Sequence, residues 1–258
     1  MKDSISKTNI KKFNKNFKSN PTNKISRNAL TRSQIDNIAM DWDAFRMVDH
    51  TYSNVVTNEM KKVTNQKASG RCWGFAGLNL MRISLAEKYN LANFEFSQNY
   101  FMFFDKLEKS NYFLENILKT LDESYDSRLM MHLLDSPVQD GGQWDMFVNL
   151  IEKYGVVPQS VMAESFQSSQ SRMMNQFLTR KLREFAWTLR SMNDKGKKIA
   201  DLRKEKEKMM SVIYTMLCIC LGDPPTKFDW QTRDKKNKFI RLTDLTPQDF
   251  YQKHCNVN

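Results

Sequence analysis

The stretch that most constrains this chain runs from Val63 to Ala76, through Gln66, Ser69, Gly70, Arg71, Cys72 and Trp73. A glycine turn sits just before a cysteine, an aromatic follows it, and apolar residues then recur at helical spacing through Leu78, Leu80, Met81, Ile83 and Leu85. That pattern predicts a helix over about Cys72–Tyr89 with the cysteine in its first turn. The unpaired N–H groups and the positive dipole end found there favour a thiolate, the nucleophilic form of cysteine. Gln66, on the loop six residues upstream, can aim a side-chain N–H at a developing oxyanion. With the Cys72 backbone N–H it would form a two-donor oxyanion hole. The bland alternative is a buried core cysteine, the state of many lone cysteines.

Composition limits the other options. Of the 258 residues 40% are hydrophobic, enough for a sizeable core in one large domain or two smaller ones. No apolar run reaches the length of a membrane span. Met1–Lys2–Asp3–Ser4 begins without the apolar core of a secretory signal. The cysteines Cys72, Cys218, Cys220 and Cys255 fit neither a disulfide framework nor a zinc site, so no metal is expected. A reducing, cytoplasmic setting is the simplest expectation.

The charge is uneven. Residues 1–32 hold nine Lys and Arg against Asp3 alone, so they supply +8 of the net +11. Such an arm can bind nucleic acid or another anionic surface. No aromatic ladder accompanies it, which leaves a solvated Lys/Asn-rich segment as the alternative.

Further along, Asn20–Pro21 breaks a first helix, and Ser33–Met47 has helical spacing. Ser97 is placed to cap a helix through Leu107, with another over about Tyr112–Leu121 and a shorter one over Arg128–Leu134. The pair Gly141–Gly142 precedes a helical face of Met146, Leu150 and Ile151. Paired glycines leave the backbone open for an extended peptide to lie against, although a tight turn into a helix gives the same sequence. Ser171–Met192 and about Lys198–Leu221 form a predicted helical hairpin, with Cys218 and Cys220 packing in the core. Phe228–Trp230 and Lys238–Leu242 form a predicted β-hairpin around Asp234–Asn237.

Four ordered motifs then identify a resemblance. They are Thr64–Asn65–Gln66–Lys67 with Ser69–Gly70–Arg71–Cys72–Trp73, Phe94–Tyr100, Asp140–Met146 and Cys218–Pro225. Together they resemble the bleomycin hydrolase and aminopeptidase C branch of the papain-like cysteine peptidases. The resemblance implies an α+β fold, mainly its helical half with the helical hairpin as an insertion. It implies a basic arm over 1–48, a helical domain with the nucleophile over 49–165, and the insertion with the start of a β-rich domain over 166–258. It makes Cys72 the nucleophile and Gln66 the oxyanion donor, and sets Gly141 and Gly142 beside the substrate backbone. It implies peptide substrates, no cofactor, and the ring-shaped hexamers of the family. The family also uses a later histidine and an asparagine, in a segment with an Asn-Ser-Trp-Gly run. The only histidines here are His50, His132 and His254, and the surroundings of His254 do not match that segment. The expectation is therefore a chain that stops before the family's base, with no catalytic histidine assigned. Two other expectations stay open, a non-catalytic peptide-binding or co-assembling relative and a nucleic-acid binder acting through the arm.

Overall fold

A computed structural model describes residues 4–49, 51–54 and 62–255. Its backbone divides at Val56/Thr57 into two units. In the first, α1 (Lys7–Ser19) is capped by Ser6, and Asn20 both ends it and caps α2 (Pro21–Leu30), whose proline sits in the first turn. The expected continuous helix over Ser33–Met47 is two short ones, α3 (Ile35–Ala39) and α4 (Trp42–Met47). The break comes from Asp41, whose carboxylate accepts the Asp43 and Ala44 N–H groups at 3.0 Å each and so starts a new helix. None of α1 to α4 holds a buried residue. The extended approach expected before the nucleophile loop falls largely on 55–61, outside the described residues, as does His50.

The second unit is built around α5 (Cys72–Lys88) and α6 (Gln98–Lys119). Ser97 caps α6 by accepting the Tyr100 N–H at 2.9 Å. Two helices were expected here, but α6 is one. Ser110, at the expected gap, returns its hydroxyl to the Lys106 carbonyl at 2.7 Å and so stays within the helix. Then come α7 (Arg128–Asp135), α8 (Trp144–Tyr154) and the single turn α9 (Phe166–Ser169). Gly155 ends α8 with φ +71°, and a side chain there would meet the Pro247 carbonyl. The expected helical hairpin is α10 (Arg172–Asp194) and α11 (Ile199–Leu221), which pack on each other and on α6.

The hairpin strands β1 (Phe228–Arg233) and β2 (Phe239–Leu245) pair antiparallel, with Trp230 opposite Leu242. Asp234 fixes the turn by accepting the Lys236 and Lys238 N–H groups, while Asn237 takes φ +64°. A last turn, α12 (Pro247–Phe250), runs into a π-helical turn over Tyr251–Cys255. One continuous core joins Leu78 and Leu85 of α5, Phe103 and Ile117 of α6, Leu182 of α10, Ile213 of α11, Trp230 and Phe250. Cys218 and Cys220 are half-buried and packed against it.

Candidate active site

Cys72 is the first residue of α5 and is exposed, while the glycines of the same helix are set by close packing. A side chain at Gly74 would meet Phe101, and one at Gly77 would meet Phe147. The loop before it is fixed from within and from below. Asn65 accepts the Lys67 N–H at 2.8 Å and Lys67 takes φ +52°, so the chain turns sharply after Gln66. Ala68 exchanges backbone hydrogen bonds with Ser169 and Ser171, which ties the loop to the start of α10. Ser69 donates to the Gln66 carbonyl at 2.6 Å and accepts from the Arg71 Nε at 2.9 Å. Arg71, buried at 3% exposure, forms a two-pronged ion pair with Glu164 at 2.8 Å on each prong. Ser168 donates to that carboxylate at 2.7 Å, and the Arg71 guanidinium lies 5.0 Å from the Phe75 ring centre. A planar fork of this kind fixes direction as well as distance.

This loop therefore has a stiff underside and free upper groups. Among the described residues, neither the Cys72 thiol nor the Gln66 side-chain amide has a hydrogen-bond partner. Both remain available to an incoming carbonyl group.

The glycine pair comes alongside the Cys72 segment. Gly141 donates its N–H to the Gly70 carbonyl at 3.3 Å. It takes φ +86° with open space around the missing side chain, so its backbone conformation requires glycine there. Gly142 lies against the Trp73 ring, where an added Cβ would come within 2.7 Å. The requirement for glycine at 142 is thus close approach to Trp73, the residue after Cys72. Gly142 has no hydrogen bond to another described residue, so its backbone groups are free, whereas both backbone groups of Gly141 are engaged. A groove of about 270 Å³ opens beside it, lined by Trp73, Leu80, Gly142 and Trp144 among others. A separate cavity of about 780 Å³ has Lys67–Gly70 in one wall and Arg172, Asn175 and Arg180 in another; Cys72 does not line it.

Two described histidines lie elsewhere. His254 hydrogen-bonds through Nδ1 to the Tyr89 hydroxyl, at the opposite end of α5. The seventeen residues of α5, Cys72 the first of them, put that end about 25 Å along the helix from Cys72. Burial, helped by Lys88 and Lys253, holds the His254 pKa below its ordinary value. His132 is exposed on α7 and lines a cavity between α6, α7 and α8 that Cys72 does not touch. The structure therefore brings Cys72, the Gln66 loop, Gly141 and Gly142 together and brings neither of these histidines to them.

Sequence reasoning missed the supporting charges. Glu164 lies 93 residues from Arg71 and carries no motif. Lys106 and Lys109, with Asp105, sit on the inward face of α6 and reach the 138–141 loop. The available signal was three charged residues placed on the face that buries Met102, Phe103 and Phe113.

The chain matches the model of the peptidase C1-like family over residues 4–258. It is 42% identical to a bleomycin hydrolase from Oryctolagus cuniculus over 89% of this chain and 84% of that one. It is 43% identical to an aminopeptidase C from Listeria monocytogenes over 96% of this chain and 55% of that one. The crystal structure of PepW from Lactobacillus rhamnosis superposes with a TM-score of 0.94 at 42% identity, covering all of this chain and 57% of PepW. The chain thus spans little more than half the length of the Listeria enzyme and of PepW. Its helical architecture with one small sheet is the corresponding part of a papain-like fold.

Proposed function

We propose, from the premise that this chain belongs to the peptidase C1-like family, that it acts as a cysteine aminopeptidase with Cys72 as the nucleophile. The observation that carries this reading is the exposed, unpartnered Cys72 at the start of α5, on a loop held rigid by Ser69, Arg71 and Glu164. The Cys72 thiolate attacks a peptide or amide carbonyl. Gln66 and the Cys72 backbone N–H receive the charge that forms on its oxygen. The amine leaves with a proton from a general acid, and water then hydrolyses the Cys72 thioester to release the carboxylate and regenerate the thiol. Gly142 offers its free backbone groups to the substrate strand. The general acid and base belong to a histidine oriented by an asparagine, by likeness to the family, and are supplied from outside the described residues.

The relatives are named for aminopeptidase and bleomycin hydrolase activities, which supports peptides and amides with a free N-terminus as the substrate class. No metal or organic cofactor takes part in these steps. Assembly with further copies, as hexamers, follows the family, and four free thiols suit a cytoplasmic setting. No described helix is long and apolar enough to cross a membrane.

A second reading is favoured by the positions of His132 and His254. In it the chain binds peptides, or joins fuller subunits, without turnover of its own. Aminoacyl-amide substrates with free and acetylated amines, assayed on the natural polypeptide and its Cys72→Ala variant, separate the two. The first reading expects cleavage of the free-amine substrate alone, lost in the variant. Cleavage that survives Cys72→Ala overturns it, and peptide binding without any cleavage moves the conclusion to the second.

A further inference from the structure

The 138–141 loop is held from beneath by two ammonium groups one turn apart on α6. Lys106, at 1% side-chain exposure, donates to the Val138 carbonyl at 3.0 Å and to Asp140 at 2.8 Å. Lys109, at 11%, donates to the Gln139 carbonyl at 3.0 Å, the Gly141 carbonyl at 2.7 Å and the Asp105 carboxylate at 3.0 Å. Those three partners exhaust the donors of an ammonium. The same ammonium lies 5.3 Å from the centre of the Trp73 ring, within cation–π range.

Lys109 is therefore a shared partner of two pieces of the site that come from different parts of the chain. One is Trp73, the neighbour of the nucleophile. The other is Gly141, which has no side chain and no packing neighbours where one would be. Its position is set by its two hydrogen bonds, to Gly70 and to Lys109. Gly142, the next residue, rests on the Trp73 ring. A displaced Lys109 would release the Gly141 carbonyl and the face of Trp73 together, and the wall would drift relative to Cys72.

We propose that Lys109, seated on Asp105, is a positioning residue for peptide cleavage: it holds the glycine wall in register with the nucleophile segment. The proposal rests on the reading of Cys72 as nucleophile and Gly142 as substrate contact. Burial lowers the pKa of Lys109 and raises that of Asp105, and the charge of each partner opposes the other's shift.

The test compares two reagents for Cys72 on the natural polypeptide, read by mass spectrometry. Iodoacetamide needs only the thiol, whereas a peptidyl chloromethyl ketone with a free N-terminus also needs the wall. In Lys109→Met the ratio of peptidyl to iodoacetamide rates falls about 10- to 100-fold, the scale of a misplacement near 1 Å. The iodoacetamide rate stays within about twofold in the same variant, and Lys109→Arg restores much of the ratio by returning a charged donor. A purely structural role would change both rates alike. An unchanged ratio in folded Lys109→Met overturns the proposal. Should Lys109→Met fail to fold, Lys109→Gln, which keeps two N–H donors without the charge, must show an intermediate ratio, and a wild-type ratio there overturns it too. If the unaltered protein shows no preference for the peptidyl reagent, the assignment of Cys72 falls, and this proposal with it.

Discussion

The two ends of α5 carry the same chemistry in opposite states. At the N-terminal end Cys72 is exposed and has no hydrogen-bond partner among the described residues, above a clamp of Arg71 and Glu164. At the C-terminal end Cys255 is fully buried, with its thiol on the Phe250 carbonyl at 3.4 Å, next in sequence to a histidine. Burial pushes the Cys255 pKa up to about 12. His254 sits on Tyr89 and against the Phe250 ring, its pKa lowered chiefly by burial. A cysteine beside a histidine is therefore an inert plug at one end, while a cysteine with no described histidine nearby is the open site at the other. Accessibility and backbone position separate them, and residue type does not.

The strongest way to break this contrast is to measure both thiols with one reagent. Under native conditions iodoacetamide is expected to modify Cys72 on the order of 10⁴-fold faster than Cys255, because Cys255 reacts only through an opening that costs several kcal/mol. Comparable rates at the two would remove the distinction. Phe250→Ala sharpens it at the buried end. Phe250 is 0% exposed and touches Phe96, Phe228 and Trp230, so its loss is expected to cost about 3–5 kcal/mol in chemical denaturation. It is also expected to raise the Cys255 rate while leaving that of Cys72 near its original value.

Arg71→Met acts at the open end. It strands the Glu164 carboxylate and frees Ser69, with an expected loss of about 2 kcal/mol; this lies below the usual figure for a broken buried pair because Glu164 is itself 25% exposed. A denaturation midpoint unchanged from wild type would show that the clamp is not holding the loop. The smallest effect concerns pH. The folded His254 has a pKa below its unfolded value near 6.5, so the folded state binds fewer protons there and stability rises with pH. That contribution is complete above about pH 6.5 and is lost as the pH falls through the folded pKa. Lys88 and Lys253 oppose the charged form and Asp249 favours it. With His254 half-exposed to screening, His254→Gln is expected to remove no more than about 0.5 kcal/mol of this acid slope. An unaltered slope would assign it to other groups.

Much of the fold was legible because its signals are local. The start of α5 at Cys72, the Ser97 cap, the α10–α11 hairpin and the Asp234–Asn237 turn each follow from turn chemistry and periodicity within a dozen or so residues. Where expectation and structure parted, a side chain had an unforeseen local choice. Ser110 continued α6 by bonding back to Lys106, and Asp41 divided α3 from α4 by capping. The placement of the candidate site residues was legible to the same depth. Gln66, Cys72, Gly141 and Gly142 were named from order and spacing, and the loop geometry brings the glycine pair to Gly70 and Trp73.

The sequence by itself determined which residues are candidates for the chemistry and which helix begins at Cys72, because a helix start is encoded by its immediate neighbours. Only the tertiary structure decided what holds them in place. The partners of Arg71 and Gly70 lie about 70 to 90 residues away, and Lys109 reaches Gly141 across 32 residues. Pairings over such distances depend on which helices pack together, and the choice of partner leaves no periodic trace in the chain. The tertiary structure also decided that His254 faces Tyr89 and not Cys72, since a helix as long as α5 places its two ends in separate environments.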